Sequence, residues 1–221
     1  MGDKKGVLAI VSGFSGAGKG TIMKSLMERY GEEYGLSISA TTRAPRPGEE
    51  NGREYFFVTE EEFLQMIKDD NLIEYANYVG NYYGTPKQYV MEQLAKGKNV
   101  ILEIEMQGAL KVKAKMPDTA LLFVTTKDAK TLKERLTGRG TETEDVIAQR
   151  MKRAIEESSG ITDYDYLVVN DKLDDAVNLV HQLITGIRDQ KEEAFDAYRI
   201  SSNIDFINEM KHDLEQIMEG E

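Results

Sequence analysis

Short apolar runs bounded by polar turns recur along the chain at Val7–Val11, Leu36–Ile38, Val100–Ile104, Leu121–Val124 and Tyr166–Val169. Runs of this length read as buried strands. Between them lie segments with helical spacing of apolar positions: 21–30, 60–68, 86–95, 129–136, 144–157 and 173–187. Strand and helix in alternation predict an α/β fold, a parallel sheet flanked by helices, with ligands at the carboxyl ends of the strands. The stretch Arg43–Phe57 breaks the rhythm with Pro45, Pro47, Gly48 and Gly52 and reads as the start of an inserted lobe that continues to about Val90. Residues 135–150, with Gly138 and Gly140 inside, have the composition of a hinged lid. Past Ile187, the residues Ile200, Ile204, Ile207, Met210, Leu214 and Ile217 fall three and four apart, an apolar stripe on one acidic helix. Such a stripe either packs on the chain's own core or forms the seam of a homodimer, and both expectations stand at this point.

Composition narrows the chemistry. The 221 residues are long enough to bury a sizeable core, and 40% hydrophobic against 30% charged is the balance of a globular protein. The longest apolar runs reach only about a quarter of the roughly 20 residues a membrane helix needs, and the first six residues have no apolar signal core, so the expected location is cytoplasmic. With no cysteine there is neither disulfide nor thiolate chemistry, and two histidines 31 positions apart make no ligand pair. The formal charge of −11 argues against a nucleic-acid partner, but most of it sits in residues 189–221. Seven of the ten arginines instead fall in two clusters, Arg43, Arg46 and Arg53, then Arg135, Arg139, Arg150 and Arg153, a pattern that suits pockets for small anions.

The strongest motif follows the first strand directly: Gly13-Phe14-Ser15-Gly16-Ala17-Gly18-Lys19-Gly20-Thr21, opening a helix. Glycines let backbone N–H groups wrap a pyrophosphate, the helix adds the positive end of its dipole, and Lys19 supplies a mobile cation. This places Gly13, Ser15, Gly16, Ala17, Gly18, Lys19, Gly20 and Thr21 around a pyrophosphate, in a P-loop NTPase-type fold. Gly20 stands where Ser or Thr normally ligates magnesium, so Mg2+ is expected to be held mostly through water and phosphates, with Thr21 and Glu103 the nearest candidate ligands.

A second set of motifs carries a family resemblance. Thr41-Thr42-Arg43-Ala44-Pro45-Arg46-Pro47-Gly48-Glu49, Asn81-Tyr82-Tyr83-Gly84 and Arg139-Gly140-Thr141-Glu142-Thr143 follow the phosphate loop in the order found in guanylate kinases, which the chain resembles from Val7 to about Ile187. The resemblance implies phosphoryl transfer from ATP to GMP and dGMP, on a core (1–36, 93–128, 153–188) with a GMP-binding lobe (37–92), a lid (129–152) and, here, an acidic helical extension (189–221). It implies Arg43, Arg46, Tyr55 and Tyr83 on the GMP phosphate, and Ser39, Glu74, Thr85 and Glu105 on the base, where Glu105 is one methylene longer than the usual Asp. Glu103, two residues earlier on the same strand, would face the same way. Lys19, Arg43, Arg135, Arg139 and Arg150 are the expected catalytic cations, and Asn170 and Asp171 the neighbours of adenine. Other readings are a monophosphate kinase for another base, against which the acids Glu74 and Glu105 speak, and a non-catalytic module of the same shape, against which the intact phosphate loop speaks.

Overall fold

The computed structural model describes residues 5–78, 80–138 and 144–219. Its centre is a five-stranded, all-parallel sheet in the order β2 (Tyr34–Leu36), β7 (Asn99–Leu102), β1 (Leu8–Gly13), β8 (Ala120–Thr125), β9 (Tyr166–Val169). Strands β1 and β8 are apolar along nearly their whole length because both faces are covered by helices. The covering helices are α1 (Lys19–Tyr30), α3 (Lys87–Ala95), α4 (Met106–Lys115), α5 (Ala129–Thr137), α6 (Glu144–Ser158) and α7 (Leu173–Arg188).

A second sheet of four strands runs β4 (Phe56–Phe57), β3 (Ala40–Thr41), β6 (Asn81–Pro86), β5 (Leu72–Tyr78). It has its own small core of Ala40, Phe63 and Leu72, with Phe56, Met66 and Tyr82 packed around them. Phe63 comes from α2 (Glu60–Lys68), whose start is fixed by a capping box between Thr59 and Glu62.

Several sequence expectations shift here. The second strand of the main sheet is Tyr34–Leu36 rather than 36–38, because the buried ring of Tyr34 enters the register opposite Asn99 while Ser37–Ser39 lead away to the second sheet. Strand β7 stops at Leu102, so Glu103 and Glu105 lie on the loop into α4 and not on one strand. Helix α4 went unpredicted because only Ala109 and Val112 are buried, in a segment that carries three lysines and a glycine. The hairpin β5–β6 was also missed; its polar and aromatic residues, with Tyr75, Ala76 and Asn77 exposed in succession, give no clean alternation. The stretch expected to be a lid from 129 begins with a core helix, since Ala129, Leu132 and Leu136 are buried in the main core.

The acidic extension is part of the body. Two short 3-10 segments lead to α8 (Ile204–Glu219), which packs on α5 and α6. Ile200, Ile207, Met210 and Leu214 of the apolar stripe join the main core, with Ile217 packed against it, while Ile204 stays exposed. Leu214 is fully buried. Leu214→Ala is expected to cost about 2–5 kcal/mol of stability; chemical denaturation checks this, and an unchanged midpoint would show the extension to be dispensable.

Candidate active site

The phosphate loop joins the carboxyl end of β1 to α1. At Gly13 a side chain is impossible: φ is 151° and a Cβ would sit 2.1 Å from the carbonyl oxygen of Val124 on the neighbouring strand. At Gly18 φ is 92°, and a Cβ would stand 2.5 Å from Nδ2 of Asn170. That amide donates to the carbonyl of Ala17 at 2.8 Å, and the guanidinium of Arg135 donates to the carbonyl of Asn170 at 2.9 Å. Asn170 and Arg135 therefore brace the loop from behind. Asp171 lies at the surface and pairs with Lys127.

Lys19, the first residue of α1, folds its amine back onto the carbonyls of Gly13 (2.7 Å) and Phe14 (3.1 Å). Ser15 Oγ accepts from Arg150 NH1 of α6 at 2.9 Å. Loop and helix face a cavity of about 440 Å³ lined by Ser15, Lys19, Glu103, Glu105, Arg150 and Glu157, among others. Thr21 is exposed on the first turn of α1 and does not line this cavity, so the structure does not bring it together there with Glu103. Gly20 is likewise exposed. Arg139 lies outside the described residues.

A second cavity, also of about 440 Å³, opens between the two sheets and is lined by Ser39, Tyr55, Glu74, Tyr83, Glu105 and Lys111, among others. Glu74 is held in β5 with Oε1 accepting from the buried hydroxyl of Thr85 at 2.8 Å, and burial pushes its carboxyl above the usual carboxylate range, with the Thr85 bond opposing. At the outer end, Tyr55 and Tyr83 meet edge to face, and the Arg43 guanidinium lies 5.3 Å from the centre of the Tyr55 ring. Arg43 NH2 donates to both oxygens of Glu49 at 2.9 Å, and Glu49 also accepts from the backbone N–H of Arg46 at 2.7 Å. These bonds hold the Glu49 carboxyl below its ordinary range. The side chain of Arg46 is exposed. Glu49 closes the Thr41–Glu49 motif, and its position six residues after Arg43 is the only signal of this pairing that the sequence carries.

Glu103, Ile104 and Glu105 line both cavities, so one short loop is the wall between them. The geometry thus offers two compartments end to end: a glycine loop with cations in one, a half-buried carboxylate and an Arg–Tyr cluster in the other. A family model described as guanylate kinase matches residues 5–186. The chain belongs to the guanylate kinase family. It is 47% identical over 196 residues to a guanylate kinase of Streptococcus thermophilus, covering 89% of this chain and 94% of that one. A guanylate kinase of Streptococcus agalactiae is 50% identical over 181 residues, 82% of this chain and 87% of the relative. The crystal structure of guanylate kinase from Anaplasma phagocytophilum superposes with a TM-score of 0.63 at 28% identity, over 84% of this chain and 87% of that one. The matched residues of the family model contain both cavities and stop before the acidic extension.

Proposed function

We propose that the protein transfers the terminal phosphoryl group of ATP to GMP, giving ADP and GDP. The observation that carries this reading is the shared wall at Glu103–Glu105: it separates a phosphate-wrapping loop from a pocket with a half-buried carboxylate, and two compartments end to end are what a donor and an acceptor nucleotide require. Membership of the guanylate kinase family supports it.

In this reading a GMP phosphate oxygen attacks the γ-phosphorus of ATP and the bond to the β,γ-bridging oxygen breaks, leaving ADP. No side-chain nucleophile is required, because the second ionisation of a phosphomonoester lies near ~6 and the attacking oxygen is anionic at neutral pH. Catalysis is then alignment and charge neutralisation. Lys19 leaves the loop carbonyls for the transferred phosphoryl, while Arg150 reaches from α6 and Arg135 supports the loop from behind. Arg139 is assigned the same task on the motif alone. Gly13, Ser15, Gly16, Ala17, Gly18, Gly20 and Thr21 contribute the loop and the helix start around ATP, with Asn170 and Asp171 at its edge. Arg43 and Arg46, with Tyr55 and Tyr83, take the GMP phosphate; Glu74, Thr85, Ser39 and Glu105 take the base. Adenine presents an acceptor at N1 where guanine presents a donor, so a carboxylate selects guanine; dGMP, which keeps that edge, is a second acceptor.

Magnesium fits the site only as a partner of the phosphates: among the described residues no group of three carboxylates or histidines converges, and of the two exposed carboxylates lining the phosphate cavity, Glu103 and Glu105, the first is the one assigned to the metal side. Bound there, Mg2+ neutralises charge on the phosphates. The expected setting is the cytoplasm, where both nucleotides occur, and no helix among the described residues is long and apolar enough to cross a membrane. ADP release measured with GMP, dGMP, AMP, UMP and CMP in parallel is expected to be fast for the guanine nucleotides and slower by roughly 10⁴ for the others. Equal rates with AMP would overturn the assignment.

A further inference from the structure

Glu105 sits where an ordered carboxylate is needed, and its own element does little to order it. Beyond Leu102 there is no strand register, and as N-cap of α4 its side chain makes no capping bond. The contact it does make comes from α6: Arg153 NH2 meets Glu105 Oε1 at 2.7 Å. The other edge of the same guanidinium is tied down, with Nε donating to Glu157 Oε1 at 3.2 Å. Glu157, one turn further along α6, is the more buried acid of the two, and burial is the main influence on its carboxyl, raising it despite the opposing pull of Arg153 and Lys19. One planar cation thus spans two carboxylates, which a lysine cannot reproduce.

We propose that Arg153 is a positioning residue that sets the Glu105 carboxylate at the edge of the second cavity, so that it presents its free lone pairs to the guanine base, with Glu157 as the anchor of Arg153. The proposal rests on the reading of that cavity as the GMP site. It gives the longer acid at 105 a physical purpose: an aspartate from the same backbone would end one methylene short of the guanidinium. It also makes α6 a link between the compartments, since Arg150 on the same helix touches Ser15 of the phosphate loop. With GMP absent the pair is largely open to water and contributes little; a base filling the cavity excludes that water and strengthens it.

The experiment is steady-state kinetics on the full chain for Arg153→Ala, Arg153→Lys, Glu105→Gln and the double variant Arg153→Ala/Glu105→Gln. Arg153→Ala is expected to raise KM for GMP about fivefold, the upper end of what a water-exposed pair supplies, with kcat and KM for ATP within twofold. Arg153→Lys should fall between, and the double variant should bind GMP no worse than Glu105→Gln alone. An unchanged KM for GMP, a matching rise in KM for ATP, or additive losses in the double variant would overturn the inference. If the wild type itself leaves GMP unphosphorylated, the reading of the cavity falls and this inference with it; a wild type active on GMP with an indifferent Arg153→Ala sinks this inference alone.

Discussion

Lys19→Met is expected to lower turnover about 10³-fold while leaving the protein folded. The argument starts from where the amine rests: 2.7 Å from the carbonyl of Gly13 and 3.1 Å from that of Phe14, at the mouth of the phosphate loop. Neutral carbonyls are weaker partners for an ammonium than phosphate oxygens are, so ATP draws the amine outward. There it meets charge that shifts as the phosphoryl moves, in a site that carries few other means of lowering the barrier. Losing one such preorganised donor costs 10²–10³ elsewhere, and here the donor carries a full charge. Methionine keeps the length of the side chain and removes the charge. The check is kcat by coupled ADP release beside a circular dichroism spectrum; wild-type turnover in a folded Lys19→Met protein would remove Lys19 from the mechanism.

Glu74→Gln is expected to lower kcat/KM for GMP about 10³-fold, chiefly through KM. The half-buried carboxylate, steadied by Thr85, faces the cavity where guanine's N1–H and amine both need acceptors, and hydrogen bonds to a charged group contribute roughly 1.5–3 kcal/mol each. A glutamine puts an NH2 where one acceptor stood. The variant also tests the titration. Burial raises the carboxyl of Glu74, so as pH falls the acid takes up its proton earlier than an ordinary glutamate, and KM for GMP should rise on that limb. In Glu74→Gln the limb disappears, leaving only the titration of the GMP phosphate. Stability runs the other way. Because the folded-state value is raised, the contribution of Glu74 to folding is most favourable at low pH and is lost as pH rises through that value. The unliganded Glu74→Gln protein should therefore melt no lower than wild type at neutral pH. A variant with unchanged KM for GMP would place the base elsewhere.

The phosphate loop was legible because its chemistry is local: Gly13, Gly18, Lys19 and the helix start follow one another within seven residues, and each is dictated by backbone geometry at that point. Helix α2 was legible to the residue from the spacing of its apolar positions, and the structure adds the capping box that fixes its start. Glu74 was harder. The pair Leu72–Ile73 marks burial, but the sequence left open whether the acid lay on a helix surface, and only the hairpin β5–β6 turns it toward Thr85. The link Glu105–Arg153–Glu157 spans more than fifty positions and obeys no sequence period. Arg153→Glu157 at four residues apart was foreseeable on a helix; the reach across the cleft to Glu105 was not.

The sequence by itself determined the periodic features of this protein: the alternation of buried strands and amphipathic helices, and a glycine loop that wraps phosphate. Those depend on side-chain spacing and backbone freedom over a few residues, which are written in order along the chain. Only the tertiary structure decided that α8 lies on α5 and α6, that Asn170 and Arg135 support the phosphate loop, and that Glu103–Glu105 divides two cavities. Each of these is a contact between distant segments, and its partner is chosen by which faces remain uncovered once the sheet has formed, a choice that no local pattern encodes.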